Sequence, residues 1–201
     1  YPYVYDINNK MSIIDLDLTL KFMTKSLNFV ENIIKNNGVI LFVGTKRQAS
    51  NLIQTYAEMV NMPYVNFRWL GGLLTNYKTI RKSIKKLSEL EENKTKNDFQ
   101  HLTKKETLMV NRKLDKLKLN LNGIKNMKGL PDALFIVDVN YESIALAEAL
   151  KLSIPVIGIV DTNSNPDNVD YLIPGNDDST DSIKFYLDVI CNHILSFKNN
   201  K

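Results

Sequence analysis

Reading from the amino terminus, the first regular pattern is helical. Leu20, Met23, Leu27, Val30, Ile33 and Ile34 return at intervals of one helical turn, so the spacing predicts an amphipathic helix over about residues 18–36. Asp17 is placed to cap its start and Gly38 its end. Val39, Ile40, Leu41, Phe42 and Val43 then form an unbroken apolar run that stops at Gly44-Thr45, as a strand covered on both faces does. Ala49, Leu52, Ile53, Tyr56, Ala57 and Val60 restore the helical period ahead of Pro63. Tyr64 through Phe67 reads as the next strand, completing a βαβ unit.

Between residues 75 and 124 the strand pattern disappears. Two helical segments, about 76–92 and 103–122, flank a polar stretch at 93–100, which predicts an antiparallel helical hairpin. The second arm opens with Thr103-Lys104-Lys105-Glu106, a capping box, and repeats Val110, Leu114, Leu117, Leu121 and Ile124 alternately four and three apart, as the seam of a coiled coil does. The first arm has two opposed arcs. Leu73, Tyr77, Ile80, Ile84, Leu87 and Leu90 take one, and Lys78, Arg81, Lys82, Lys85 and Lys86 take the other, because successive residues turn by ~100°. One arc packs while the other meets solvent or phosphate.

After the hairpin the α/β rhythm returns. Residues 133–139 and 155–161 are apolar enough for buried strands, 171–173 for a short one, with helices at about 141–150 and 179–197. The fold class is therefore α/β: a parallel sheet between helices, with residues 1–74 and 125–201 as its body and 75–124 as an inserted helical hairpin.

Charge sharpens this picture. The chain's net charge of +4 hides an asymmetry, since residues 1–125 hold 21 Lys and Arg against 11 Asp and Glu, while residues 126–201 hold 5 against 11. The basic part, densest between Lys46 and Lys125, is where nucleic acid would bind. The single cysteine, Cys191, excludes an intrachain disulfide, and His101 and His193 alone make no zinc-ligand cluster. No apolar run approaches the ~18 residues of a membrane span, so no membrane partner is expected. Tyr1 is not an initiator methionine and nothing near it reads as a signal peptide, so the chain is processed or begins within a longer one.

Two places invite chemistry. Gly44-Thr45-Lys46-Arg47 closes the first long strand and opens a helix, where free N–H groups and the helix dipole attract phosphate, although neither a P-loop nor a dinucleotide fingerprint is present. Asp138, Asp161, Asp167, Asp177 and Asp178 follow strand ends or sit in later loops, where an α/β enzyme places metal or catalytic acids. A nucleotide- or metal-dependent phosphohydrolase using these groups is the competing functional class. Most of these carboxylates lie in Asn-, Pro- and Gly-rich segments, which favours turn and cap roles instead. Trp69 and Phe67 could stack on a base, but beside Leu70, Leu73 and Leu74 they read as core or hinge packing.

Several collinear segments carry a family resemblance: Val43-Gly44-Thr45-Lys46-Arg47, Arg68-Trp69-Leu70-Gly71-Gly72-Leu73-Leu74-Thr75-Asn76, Leu102-Thr103-Lys104-Lys105-Glu106, Gly129-Leu130-Pro131-Asp132-Ala133-Leu134 and Ile173-Pro174-Gly175-Asn176-Asp177-Asp178. Together they resemble the family of ribosomal protein S2, the second protein of the small ribosomal subunit, in its bacterial and organellar form. The resemblance implies a Rossmann-like (flavodoxin-like) domain with an inserted coiled-coil hairpin. It implies a structural role, with small-subunit ribosomal RNA and neighbouring ribosomal proteins as partners, and neither catalysis, cofactor nor small-molecule substrate. The basic positions Lys46, Arg47, Arg68, Lys78, Arg81, Lys82, Lys85 and Lys86 become the expected phosphate contacts.

Two features depart from the family pattern. The usual leading helix with a Gly-His element and the Trp-Asn-Pro segment after it do not precede Tyr1, which implies that this terminal contact is absent or has been lost from this chain. Further, 22 lysines accompany only 4 arginines and asparagine is abundant, pointing to an AT-rich genome. With Ile13-Ile14-Asp15-Leu16, this places the expected protein in a mitochondrial small subunit, with a plastid or a bacterial cytoplasm as alternatives. Lysine contacts position a protein on phosphates more than they read bases.

Overall fold

A computed structural model describes residues 3–8, 11–95 and 103–198. An antiparallel hairpin of β1 (Val4–Asn8) and β2 (Met11–Ile14) leads into α1 (Leu16–Lys35), β3 (Ile40–Val43), α2 (Arg47–Met59) and β4 (Tyr64–Val65). The inserted helices α3 (Tyr77–Thr95) and α4 (Lys104–Leu121) follow, and a 3-10 turn at Asn122–Ile124 returns the chain to the body. Then come β5 (Ala133–Val137), α5 (Ser143–Lys151), β6 (Val156–Val160), β7 (Tyr171–Pro174) and α6 (Thr180–Lys198). Within the described residues, five strands form one parallel sheet in the order β4-β3-β5-β6-β7. Counted from β3, this is the flavodoxin-like order 2-1-3-4-5.

The continuous apolar strands are buried on both faces because their side chains alternate between two packed layers. Ile40, Phe42, Phe135, Val137, Ile157 and Ile159 face α1, α2 and α6, meeting Val30, Ile53, Ile183 and Leu187 among others. Leu41, Val43, Leu134, Ile136, Val156 and Val160 face the opposite layer, which contains Trp69, Leu73, Leu74, Ala145 and Ala149. Leu87, Leu114, Leu121 and Ile124 belong to that second layer. The root of the hairpin therefore shares the core of the α/β body. Each fully buried aliphatic or aromatic side chain contributes about 1.5–3 kcal/mol over exposure, which makes the two layers the main source of stability.

Local details differ from the sequence reading. Asp15, not Asp17, caps α1, its carboxylate accepting from the Asp17 and Leu18 amides at 2.9 and 3.3 Å. At the other end Asn37 takes the left-handed conformation, with φ 57°, while the Gly38 amide reaches back to the Ile33 carbonyl at 2.8 Å. Glycine is needed at 38 for space, since a Cβ there would lie 2.6 Å from Ile33. Thr103 and Glu106 form the expected capping box. Of the polar stretch at 93–100, residues 93–95 extend α3 and 96–100 lie outside the described residues. The β1–β2 hairpin had no sequence counterpart.

Gly123 is where the returning chain meets the sheet. A Cβ there would sit 2.2 Å from the Tyr64 carbonyl oxygen and 2.7 Å from its ring, so backbone would have to move. Gly123→Ala is therefore expected to destabilise the protein by about 1–3 kcal/mol through overpacking. Urea unfolding measures this, and an unchanged midpoint would contradict the close approach.

A candidate nucleic-acid interface

The turn from Arg68 to Asn76 connects β4 to α3, and one buried carboxylate holds it. Glu148 on α5 is 8% exposed and accepts from the Trp69 indole at 3.1 Å, the Gly72, Leu74 and Thr75 amides at 2.7, 2.9 and 3.0 Å, and the Thr75 hydroxyl at 3.1 Å. Burial alone pushes this carboxyl up, but the Thr75, Trp69, Leu74 and Gly72 donors outweigh it and hold it below the usual glutamate range. Gly72 takes φ 83° within this turn, a conformation that favours glycine. Sequence reasoning missed Glu148, because a lone glutamate in an apolar helix gives no sign of partners more than seventy residues away.

From this fixed turn α3 departs with its two arcs separated as the spacing predicts. Ile80 and Leu87 are buried, Tyr77, Ile84 and Leu90 are partly buried, and Lys78, Arg81, Lys82, Lys85 and Lys86 are all exposed. Among the described residues none of these five cations makes an ion pair with a carboxylate. The structure adds to them. Arg81, Lys82, Ile84 and Lys85 line one side of an open groove of about 460 Å³, and Lys125, Asn126, Met127 and Lys128 line the other. The Tyr77 hydroxyl donates to the Met127 carbonyl at 2.6 Å, fastening the two walls together. Lys125 also pairs with Glu91, whose carboxyl is held low first by that contact and then by Lys118 at 3.1 Å. Neither Lys125 nor Lys128 was singled out from sequence, since the fold alone sets them opposite α3. The groove's lining contains five basic side chains, Arg81, Lys82, Lys85, Lys125 and Lys128, and no carboxylate.

The other expected contacts divide. Arg47, on the first turn of α2, and Arg68, after β4, are exposed. Lys46 is not: its ammonium lies 2.8 Å from Asp138, 3.0 Å from Asp177 and 2.5 Å from Asp178, with the side chain 14% exposed. Burial lowers the lysine's proton affinity, but the three carboxylates together raise it well above its ordinary value. Three acids leave Lys46 little capacity for a phosphate. The Thr45 amide and hydroxyl, which would have faced an anion, both donate to Glu142, at 2.6 and 2.7 Å. Gly44 serves packing, since a Cβ there would approach Ile53 to 2.8 Å.

The acids therefore form a clasp at the carboxyl ends of the strands. Asp138 adopts φ 63° and accepts from the Tyr141 amide at 3.0 Å, while the Asp177 amide donates to Asp161 at 3.4 Å. Oxygens of Asp161, Asp177 and Asp178 lie within 4.8 Å of one another, a spacing that a cation could bridge, and Lys46 already sits on two of them. Burial pushes the Asp177 carboxyl up to about 6, with Lys46 opposing and Asp138 and Asp161 adding to the rise. An acid whose folded value exceeds its unfolded value binds its proton more tightly when folded, so this group's contribution to stability increases as pH falls from 7 through about 6. The urea midpoint of the native chain is expected to gain more between pH 7 and pH 5 than that of Asp177→Asn, and identical profiles would contradict this.

Comparisons with known proteins agree with the architecture. A family model described as ribosomal protein S2 matches residues 1–196. The small ribosomal subunit protein uS2 of Hahella chejuensis is 53% identical over 197 residues, covering 96% of this chain and 78% of that protein. The protein of the same description from Marinobacter nauticus is 51% identical over 193 residues, covering 96% and 77%. Both relatives are bacterial, so the mitochondrial setting read from lysine and asparagine content finds no support in them and the bacterial alternative fits. Residue composition reports on the coding genome, whereas identity across the whole fold reports on descent.

Proposed function

The chain belongs to the ribosomal protein S2 family, and on that premise we propose that it is a structural component of a bacterial small ribosomal subunit, held on ribosomal RNA by the basic face of α3. The observation that carries this reading is the groove between α3 and residues 125–128, in which Arg81, Lys82, Lys85, Lys125 and Lys128 converge without a carboxylate in the lining. Such a surface suits a phosphate backbone and reads shape more than sequence. Lys78 and Lys86 extend it along α3, and Arg47 and Arg68 supply separate cations on the body. The acidic carboxyl-terminal part faces solvent or a basic protein neighbour. Ribosomal protein neighbours complete its partners, and it carries no catalytic role.

The test is equilibrium binding of the full chain to a small-subunit ribosomal RNA transcript, with an unrelated RNA of equal length as competitor. Preferential binding that weakens steeply with salt is expected. Equal affinity for both RNAs, or no affinity for either, would contradict the proposal.

A further inference from the structure

Phe67 does not pack where its neighbours do. Trp69 is 6% exposed and belongs to the core, whereas Phe67, two residues earlier, is 54% exposed. It lines a pocket of about 490 Å³ between α2, the segment after β4 and the root of α4. The lining is mixed. Leu119 adds a second apolar surface, Asn51 and Asn66 bring amides, and Lys118 and Glu91 bring an ion pair at 3.1 Å. The Asn66 side-chain nitrogen donates to the Ser50 carbonyl and to Gln54, which fixes its orientation, and the Asn66 main-chain carbonyl accepts from the Ser50 hydroxyl, while among the described residues no hydrogen bond reaches Asn66 Oδ1 or the Asn51 side chain.

We propose that this pocket receives one unpaired base of the ribosomal RNA, stacked on Phe67 with its edge toward Asn51 and Asn66. An aromatic face with a fixed amide beside it suits a splayed-out nucleobase, and the exposed Arg68, next in the chain after Phe67, suits an adjacent phosphate. An aliphatic protein side chain fits less well, since it would cover the amides without satisfying them. The inference rests on the RNA-binding reading and adds to it a contact that is insensitive to salt.

The experiment measures binding of the native chain, Phe67→Ala and Phe67→Tyr to the same ribosomal RNA transcript across a salt series, with ultraviolet cross-linking of the native complex. Because one stacked base is worth about 5- to 150-fold in affinity, Phe67→Ala is expected to weaken binding by that much at every salt concentration, with the slope unchanged. Phe67→Tyr keeps the aromatic face and is expected to stay within about threefold of native. A cross-linked nucleotide should map to the peptide containing Phe67. If the native chain binds with its steep salt dependence while Phe67→Ala binds equally well, or the tyrosine variant loses as much as the alanine one, the stacking proposal falls and the groove remains. A cross-link confined to other peptides also overturns it. If the native chain does not bind the transcript at all, both readings fall together.

Discussion

Glu148→Ala is expected to lose about 3–5 kcal/mol of stability, a large fraction of the 5–15 kcal/mol typical of a folded domain. Five donors converge on that one carboxylate, all of them from the turn that launches α3. Truncation strands them in a buried space, where each unsatisfied group costs about 1–3 kcal/mol before relaxation. Glu148→Gln keeps the shape but turns an amide NH₂ toward N–H groups, so a smaller loss of the same sign is expected. Urea unfolding followed by fluorescence of Trp69, the chain's only tryptophan and a direct partner of Glu148, reports the change. The ionised carboxylate is favoured by folding, so its contribution is complete above the unfolded value of about 4.3 and declines as pH falls below it. A loss under about 1 kcal/mol for the alanine variant would mean that packing, not this hydrogen-bond hub, fixes the turn.

Replacing Lys78, Arg81, Lys82, Lys85 and Lys86 together by glutamine is expected to weaken binding to ribosomal RNA by about 10²–10³-fold near physiological salt. Each phosphate contact contributes about −0.7 to −0.9 to the slope of log affinity against log salt, so five contacts give about −3.5 to −4.5, and the variant should lose that much of the slope. All five side chains are exposed, so stability should remain within about 0.5 kcal/mol of native, and weaker binding cannot be blamed on unfolding. Replacing Lys46 alone should behave in the opposite manner, disturbing the clasp of Asp138, Asp177 and Asp178 more than RNA affinity. Native-like affinity and slope in the five-residue variant would remove α3 from the interface.

These two predictions separate what the sequence made legible from what it did not. The arcs of α3 follow from local geometry, because residues three and four apart share a helix face in any fold. The buried strands were legible for a similar reason, as Val39 to Val43 and residues 133–137 are apolar at every position. Lys46 and Glu148 were not. Their partners lie 92 and 131 residues away for Lys46, and 73 to 79 for Glu148. Only the closed sheet brings such groups together. Lys46 stands at a strand end where an anion site is usual, and the acids arriving from β5 and β7 reverse its surroundings. Phe67 was read as core or hinge packing because its neighbours are apolar, yet the strand ends at Val65 and the chain bends at Phe67, which breaks the two-residue alternation and leaves Val65 and Trp69 inside and Phe67 outside. The same closure sets Lys125 and Lys128 across from Arg81 and Lys85, enlarging the basic surface beyond what periodicity could show.

The most direct measurement is a structure of an assembled small ribosomal subunit containing this chain. The exposed cations of α3 and residues 125–128 should lie within hydrogen-bonding or ion-pairing distance of ribosomal RNA phosphates. Finding this groove open to solvent, or filled by another protein with no RNA backbone in reach, would contradict the account.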